Sequence, residues 1–246
     1  MSTGKTPAFY ALGASGAWKD YANLLHIPYT LWHLSYVVLG AALASTVHVD
    51  RLIGTVVAFF LAMGIGAHAL DELNGRPLGT RIPKAVLIAM AVVSLTGALV
   101  MGTVAGLIAT LWLFPFMAFG AFIAVAYNLG LWHDRFHSDY WFAFAWGAFP
   151  ALTSYWIQSV NLTATVILLA LACFTLSLAQ RTLSTQVRTI RRRTLNVAGT
   201  MEMTDGSIVT LDSSSMILAA ERALVLLSVT VVVLAASLLA YRLIDT

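Results

Sequence analysis

The amino-acid sequence predicts an all-α integral-membrane protein, a bundle of about seven transmembrane helices with a short cytoplasmic insertion before the last one. Of its 246 residues, 59% are hydrophobic and only 10% are charged, whereas soluble domains contain about 25% charged residues. The mean hydropathy is +0.83, which excludes a water-soluble globule. The charged residues also separate long uncharged stretches whose lengths match one or two membrane-spanning helices.

The uncharged stretches define the predicted spans, because a helix needs about 20 apolar residues to cross the hydrocarbon core. Three stretches hold one span each: residues 21–49, 52–70 and 223–241. Two stretches hold two spans each: residues 85–133 and 140–180. We expect a turn at Met101-Gly102-Thr103 to divide the first of these, and a turn at Gln158-Ser159-Val160-Asn161 to divide the second. The result is seven spans in a single transmembrane domain, residues 1–246.

The basic residues predict the orientation, because Lys and Arg beside short loops are retained on the cytoplasmic side. With seven spans, the side that holds the N-terminus receives twelve of them: Lys5, Lys19, Arg76, Arg81, Lys84, Arg135, Arg181, Arg188, Arg191, Arg192, Arg193 and Arg222. The opposite side receives only Arg51 and Arg242. We therefore expect a protein of the cell or cytoplasmic membrane with a cytoplasmic N-terminus, and no cleavable signal peptide in residues 1–20. Because these cations flank apolar segments, a nucleic-acid partner is not expected.

Residues 181–215 are predicted to form a cytoplasmic insertion between spans 6 and 7. The segment begins as a basic amphipathic helix with Leu183, Val187 and Ile190 on one face. A β-hairpin over Met201–Leu211 should follow, because Asp-Gly between short alternating runs is a turn signal. An isolated hairpin is marginally stable in water, so we expect it to rest on the basic helix or on a partner protein. The arginines of the helix are expected to contact anionic lipid headgroups or that partner.

Ionisable residues at the cytoplasmic ends of spans 2 and 4 are the candidate functional residues, because such groups are expensive at membrane depth and usually have a function. Helical spacing places His68 on one face with Asp71 and Glu72, and His133 on one face with His137. Imidazole and carboxylate groups together bind zinc, manganese or iron, and oxygen ligands alone favour magnesium. We therefore predict a divalent metal ion, its identity left open among Mg, Mn, Zn and Fe. The predicted ligands are His33, His68, Asp71, Glu72, His133 and His137. Helix-end salt bridges or headgroup contacts are the alternative.

The loop after Glu72 indicates an anionic substrate. It carries Arg76, Arg81 and Lys84 beside the acidic cluster, and a guanidinium group pairs well with phosphate or carboxylate oxygens. Membrane topology alone also requires cations here, so the two explanations remain open. In span 5, Trp146 and Phe149 are candidates to line an apolar tunnel for an acyl or isoprenoid chain, with Pro150 distorting the helix. Ordinary helix packing is the alternative for these aromatic residues.

The segment Ile27-Pro28-Tyr29-Thr30 opens span 1, two polar, acidic loops follow spans 2 and 4, and Arg76-Pro77 stands just after the first of them. In these features the chain resembles the UbiA superfamily of membrane prenyltransferases over residues 24–158. The resemblance implies an all-helical enzyme that binds magnesium through aspartate-rich cytoplasmic loops and transfers an isoprenoid from its diphosphate to an acceptor. At the outer positions of the family's first motif, however, this chain has Ala67 and Gly75.

The resemblance also implies roles for individual residues. The first aspartate-rich loop would correspond to His68, Asp71 and Glu72, with Arg76 and Arg81 as diphosphate partners. The second would correspond to a set that follows Tyr127-Asn128: His133, Asp134, His137 and Asp139.

Three functions remain open at this point. The leading prediction is a metal-dependent enzyme, most directly a UbiA-like prenyltransferase, that acts on a membrane lipid or isoprenoid at the cytoplasmic interface. A seven-span zinc-dependent lipid amidase or esterase is the second, and a noncatalytic subunit, scaffold or small transporter is the third. In an enzyme, Asp134 or Asp139 would be the general base. The predicted substrate-binding residues are Asn74, Arg76, Arg81, Lys84, Tyr127 and Asn128.

Overall fold

The computed structural model describes residues 17–244, which are mostly helical. Lys5 and most of the segment 1–20 lie outside the described residues. Within residues 17–244 we number nine helices: α1 (Ala17–Leu24), α2 (Ile27–Ala42), α3 (Val49–Leu73), α4 (Lys84–Ile108), α5 (Leu113–Asn128), α6 (Leu131–Asp134), α7 (residues 139–159), α8 (Ala164–Arg193) and α9 (Ser213–Ile244). Two strands, β1 (Gly199–Glu202) and β2 (Ile208–Leu211), lie between α8 and α9.

Four of the described helices, α3, α4, α8 and α9, are long and apolar enough to cross a membrane. A fifth, α5, is apolar but shorter. These helices are compatible with the predicted membrane protein, and the count of seven spans and the cytoplasmic N-terminus stay predictions. Helix α2 packs against α7 and α9, α7 packs against α8, and α3 packs against α4. Trp32 and Tyr36 of α2 are fully buried in the resulting core, together with Cys173 of α8.

The predicted turn at Met101-Gly102-Thr103 is wrong. Helix α4 continues through these residues to Ile108, and the chain turns between Ile108 and Leu113. A Cβ atom at Gly102 would lie 2.9 Å from Met117 Sδ of α5, so this glycine permits close packing of two helices. The predicted division near residues 158–161 is confirmed, because α7 ends at Ser159 and Val160 adopts a left-handed backbone with φ 53°. Helix α8 then begins with the Thr163 hydroxyl accepting a hydrogen bond from the Val166 amide.

The basic helix of the insertion is not a separate element. It is the last part of α8, which runs without a break from Ala164 to Arg193. The predicted apolar face is confirmed: Val187 is buried against Ile217 and Leu224 of α9, with Leu183 and Ile190 packed beside them. Burial against α9 explains why the helix continues through residue 181, because an amphipathic helix is stabilised mainly by the packing of its apolar face.

The predicted hairpin is confirmed. Strands β1 and β2 pair antiparallel with Thr200 opposite Thr210, and Gly206 occupies the turn with φ 83°. Seven of the eight strand residues are exposed, and Leu211 is partly buried. The turn is held by the Asp205 carboxylate, which accepts hydrogen bonds from the amide and hydroxyl of Ser207. These hydrogen bonds lower the pKa of Asp205 below its ordinary value.

Two helices contain π-helical segments, and both lie beside the candidate site. In α3 the segment Phe60–Ala67 ends immediately before His68. In α7 the segment Ala143–Ala148 contains Trp146 and precedes Pro150, which lies in the first turn of the α-helical part Phe149–Ser159. π-Helical turns shift the side chains that follow them around the helix and are frequent at functional sites.

Candidate functional site

A polar cavity of about 390 Å³ lies at one end of the bundle. Groups from seven parts of the chain line it: the α1–α2 connection, α2, the end of α3, the loop between α3 and α4, the end of α5 with the connection to α7, the first part of α7, and the last four turns of α8. Its ionisable and polar lining residues include His26, Tyr29, His33, His68, Asp71, Tyr127, Asn128, His137, Gln180, Arg181, Ser184, Arg188, Arg192 and Arg193. Four of the predicted metal ligands (His33, His68, Asp71 and His137) and two predicted substrate residues (Tyr127 and Asn128) thus meet in one place.

The imidazole of His68 is fixed by its own helix. Its Nδ1 atom lies 3.0 Å from the Gly64 carbonyl oxygen. Because a carbonyl oxygen only accepts hydrogen bonds, Nδ1 is the donor and Nε2 remains the acceptor of the neutral ring. His137 is fixed in the same way, with Nδ1 2.9 Å from the Tyr127 carbonyl oxygen and its ring stacked on the Tyr127 ring at 4.4 Å.

His26 is the site residue that sequence reasoning missed. Its ring stacks on that of His68 with a centroid distance of 4.5 Å, and its backbone is left-handed (φ 47°) at the junction between α1 and α2. Desolvation lowers the pKa of His26 well below its ordinary value, and the nearby His68, Arg192 and Arg188 act in the same direction. At neutral pH, His26 is therefore an uncharged imidazole beside the arginines of α8.

Three buried polar atoms in the cavity wall have no hydrogen-bond partner within the described part of the chain: His33 Nδ1, Tyr127 Oη and Gln180 Oε1. Their residues are 3%, 5% and 2% exposed. Buried polar atoms in proteins are almost always paired, so an unpaired set is typical of a site that binds a ligand or water.

One side of the cavity, which we call the α8 roof, is lined by Arg181, Arg188 and Arg192. Arg181, Arg188 and Arg192 are spaced seven and four residues apart and so share one helix face. Arg181 pairs with Asp139 at 2.8 Å and lies over the Phe142 ring. In the sequence, this arginine face is indicated only by the basic residues that follow the apolar part of α8. The groups that face it belong to the ends of other helices, and the sequence does not show that these helices meet α8.

Glu72 points away from the cavity. Its carboxylate is fully buried and accepts hydrogen bonds from the Thr80 amide (2.8 Å), the Thr80 hydroxyl (2.9 Å) and the Leu78 amide (3.0 Å). Arg76 belongs to the same loop, where its Nη1 donates to the carbonyl oxygens of Thr80 and Ile82. Both side chains therefore close the loop between α3 and α4.

The remaining substrate candidates lie outside the cavity lining. Arg81 and Lys84 are exposed, and the Arg81 amide donates to Asp20 of α1. Asn74 donates to the Asn128 carbonyl oxygen at 3.1 Å and so connects the end of α3 to the end of α5.

The predicted helical pairing of His133 with His137 is wrong. Helix α5 ends at Asn128, Gly130 is left-handed (φ 61°), and both Trp132 and His133 have left-handed backbones. The chain therefore leaves the helix before His133, which is exposed together with Asp134. Among the residues described, no group of three or more His, Cys, Asp or Glu side chains is arranged to hold one metal ion.

An apolar cavity of about 620 Å³ lies between α3, α4, α5 and α7. Its wall includes Met63, Leu95, Phe116, Gly120 and Phe149. Trp146 lines both this cavity and the polar one, so the two cavities border the same side chain.

No protein-family model, curated protein or solved structure matches this chain. The case for a function therefore rests on the two cavities and the residues that line them.

Proposed function

We propose that this protein is an integral-membrane enzyme whose substrate is an amphiphile with an anionic, phosphate-bearing head and an apolar chain. The head occupies the polar cavity and the chain occupies the apolar cavity. The leading reaction is prenyl transfer from an isoprenoid diphosphate to an acceptor. The observation that carries this proposal is that Trp146 lines both cavities.

The chemistry of the polar cavity supports an anionic head. Arg181, Arg188 and Arg192 present guanidinium groups from one helix face, and such groups bind phosphate oxygens through paired hydrogen bonds. The cavity is partly shielded from water, which strengthens these interactions. Tyr127 Oη is buried and unpaired among the described residues, and a phenolic hydroxyl can donate a hydrogen bond to an oxygen of the head.

The apolar cavity supports a long hydrocarbon chain. Asp50 and Ala67 of α3 both line it, and their separation corresponds to about 26 Å at the rise of an α-helix. A chain that leaves the polar cavity at Trp146 therefore passes through most of the hydrocarbon thickness inside the protein. Each buried CH₂ group contributes about 0.8 kcal/mol to such binding.

The residues of the polar cavity have the chemistry that prenyl transfer requires. The carbon–oxygen bond to the diphosphate breaks, and the same prenyl carbon forms a bond to the acceptor. The roof arginines stabilise the negative charge on the diphosphate that leaves. The acceptor loses a proton, for which His68 Nε2 is a base because His68 Nδ1 is bound to the Gly64 carbonyl oxygen. Asp71 lies in the same cavity and stabilises the protonated imidazole. In this proposal the base is His68, and Asp139 orients Arg181.

The experiment that tests the proposal combines native mass spectrometry with a transfer assay. The full-length protein, purified in detergent, is examined for bound lipid and then incubated with a radiolabelled isoprenoid diphosphate and a membrane lipid extract. We expect a retained amphiphile and a labelled lipid product. Gly120→Leu places a side chain in the apolar cavity, where a Cβ atom already lies 3.4 Å from the Phe149 ring, and should reduce both signals.

The matched control is Ala172→Leu, because Ala172 is exposed on α8 outside the lining of either cavity. This variant should retain lipid and activity. A wild-type protein that carries no amphiphile and forms no product would contradict the proposal. Release of a free acid from an ester or amide lipid, without prenyl transfer, would instead favour the lipid hydrolase.

A further inference from the structure

We propose that the arginine face of α8, and no divalent metal ion, holds the anionic head in the polar cavity. This inference rests on the proposed function, because it names how the same site recognises its phosphate-bearing ligand. It also departs from the magnesium centre that the family resemblance implies.

The acidic residues expected to hold a metal ion have other partners. Both carboxylate oxygens of Glu72 accept hydrogen bonds from the loop before α4. Asp139 is paired with Arg181, and Asp134 is exposed beyond the end of α5. Of the carboxylates, only Asp71 appears in the lining of the polar cavity within residues 17–244. A magnesium ion that bridges phosphate groups takes oxygen ligands, commonly from one or two carboxylates, in a near-octahedral arrangement. The resemblance implies carboxylates from two acidic loops, whereas the described lining of the polar cavity has the single carboxylate of Asp71.

The charge of the lining fits an anion directly. Four guanidinium groups, from Arg181, Arg188, Arg192 and Arg193, line the cavity. After Arg181 is paired with Asp139 and the charge of Asp71 is subtracted, two positive charges remain. A dianionic phosphate group therefore neutralises the site without an added cation.

The arginine face is held in place before any ligand binds. Val187 is buried against Ile217 and Leu224 on the opposite side of α8. Arg191, next to the cavity residue Arg192, forms an ion pair with Glu221 of α9, and the Gln186 side chain donates to the Met216 carbonyl oxygen. Preorganised cations lose little entropy on binding and so bind anions more tightly than flexible ones.

The other side of the cavity supplies a neutral donor. Tyr127 is 5% exposed, and its Oη atom has no partner in the part of the chain that the structure describes. A phenolic hydroxyl can donate a hydrogen bond to an anion. An anion between the α8 roof and Tyr127 would satisfy this hydroxyl, and this provides the second observation, independent of the arginines, that points to a ligand.

The experiment measures binding of inorganic pyrophosphate to the full-length protein in detergent by titration calorimetry, in excess EDTA and again in excess magnesium. We expect the affinity in EDTA to lie within about twofold of that in magnesium. Arg188→Ala and Arg192→Ala should each weaken binding about tenfold or more, as expected for loss of a charge-assisted hydrogen bond. Arg188→Gln keeps the polar side chain and serves if the alanine variant does not fold.

The matched control is Arg222→Ala, which removes one exposed cytoplasmic charge from α9 outside the cavity and should leave the affinity unchanged. Binding that appears only with magnesium would overturn this inference and leave the proposed function standing. Absence of binding in both conditions would also overturn it, as would an equal loss of affinity in Arg222→Ala.

A second titration distinguishes a lipid-linked anion from a free one. The probe is a nonreactive isoprenyl thiodiphosphate, compared with inorganic pyrophosphate in EDTA. Tighter binding of the isoprenyl compound, with the advantage lost in Gly120→Leu, supports a lipid-linked head. Equal binding of the two compounds would overturn the proposed function and leave the arginine site in place.

Discussion

Glu72 is fully buried, and its two carboxylate oxygens accept three hydrogen bonds from residues 78–80. The change Glu72→Ala leaves the buried donors of Thr80 without an acceptor. We expect it to destabilise the protein by about 2–4 kcal/mol, because each buried unsatisfied donor costs about 1–3 kcal/mol. Glu72→Gln retains one acceptor oxygen and should lose about half as much. Thermal unfolding in detergent measures both effects.

The matched control for Glu72 is Glu202→Ala, which removes an exposed carboxylate from strand β1 and should leave the unfolding temperature unchanged. The two roles considered for Glu72, closing the loop before α4 and binding a metal ion, predict different results for Glu72→Ala. If Glu72→Ala unfolds at the wild-type temperature but loses a bound divalent metal ion, Glu72 is a ligand and the loop contacts are secondary.

At the residue scale, the sequence correctly predicted those site residues whose placement depends only on nearby residues of the same helix. Spacings of three and four residues correctly placed His68 and Asp71 at one end of a helix, and both line the polar cavity. The same spacing selected Glu72, whose role depends on the Thr80 amide eight residues away. His26 was missed because its stacking on His68 is a tertiary contact between residues 42 positions apart.

At the scale of secondary-structure elements, the close packing of α2 against α7 depends on Gly40. A Cβ atom at this position would overlap the Ala151 carbonyl oxygen, which belongs to the backbone and has little freedom to move. Gly40→Ala must therefore push α2 away from α7, and we expect a loss of about 1–3 kcal/mol from overpacking. Thermal unfolding in detergent measures this loss.

Gly54 provides the opposite case on α3. A Cβ atom there meets nothing within 4 Å, and alanine is favoured over glycine in a helix by about 0.5–1 kcal/mol. Gly54→Ala should therefore leave the stability unchanged or raise it. An equal gain in stability from both changes would mean that helix propensity and not the α2–α7 contact governs these positions.

Some residue types occur in two different structural settings, and this explains why the boundaries of the helices were predicted only in part. Glycine is common both at turns and at close helix contacts, and only the position of Met117 shows that Gly102 belongs to the second class. Helix α8 was divided at residue 181 because its composition becomes basic there. The helix nevertheless continues, because Val187 is buried by Ile217, thirty residues further along the chain.

At the scale of the whole molecule, the proposed site requires all its cations on one side of the membrane. The polar cavity combines the ends of α3 and α5 with the end of α8, so these ends must face the same compartment. Four helices have the length and composition of spans. The shorter helices α2 and α5, each of 16 residues, would span about 24 Å at the rise of an α-helix, somewhat less than the hydrocarbon core.

Single-cysteine labelling tests the seven-span topology in full. Thr46 follows α2 and Thr204 lies in the hairpin after α8, and both are exposed. Seven spans put them on opposite sides of the membrane, with residue 204 on the cytoplasmic side because the arginines of α8 precede it. A membrane-impermeant maleimide should therefore label Thr46→Cys in right-side-out vesicles and Thr204→Cys in inverted ones. The native Cys173 is buried, so wild-type protein is the control and should stay unlabelled in both. The seven-span topology places five crossings between the two positions. Labelling of both variants in the same vesicles would mean that an even number of helices crosses the membrane between them, and this would contradict the topology.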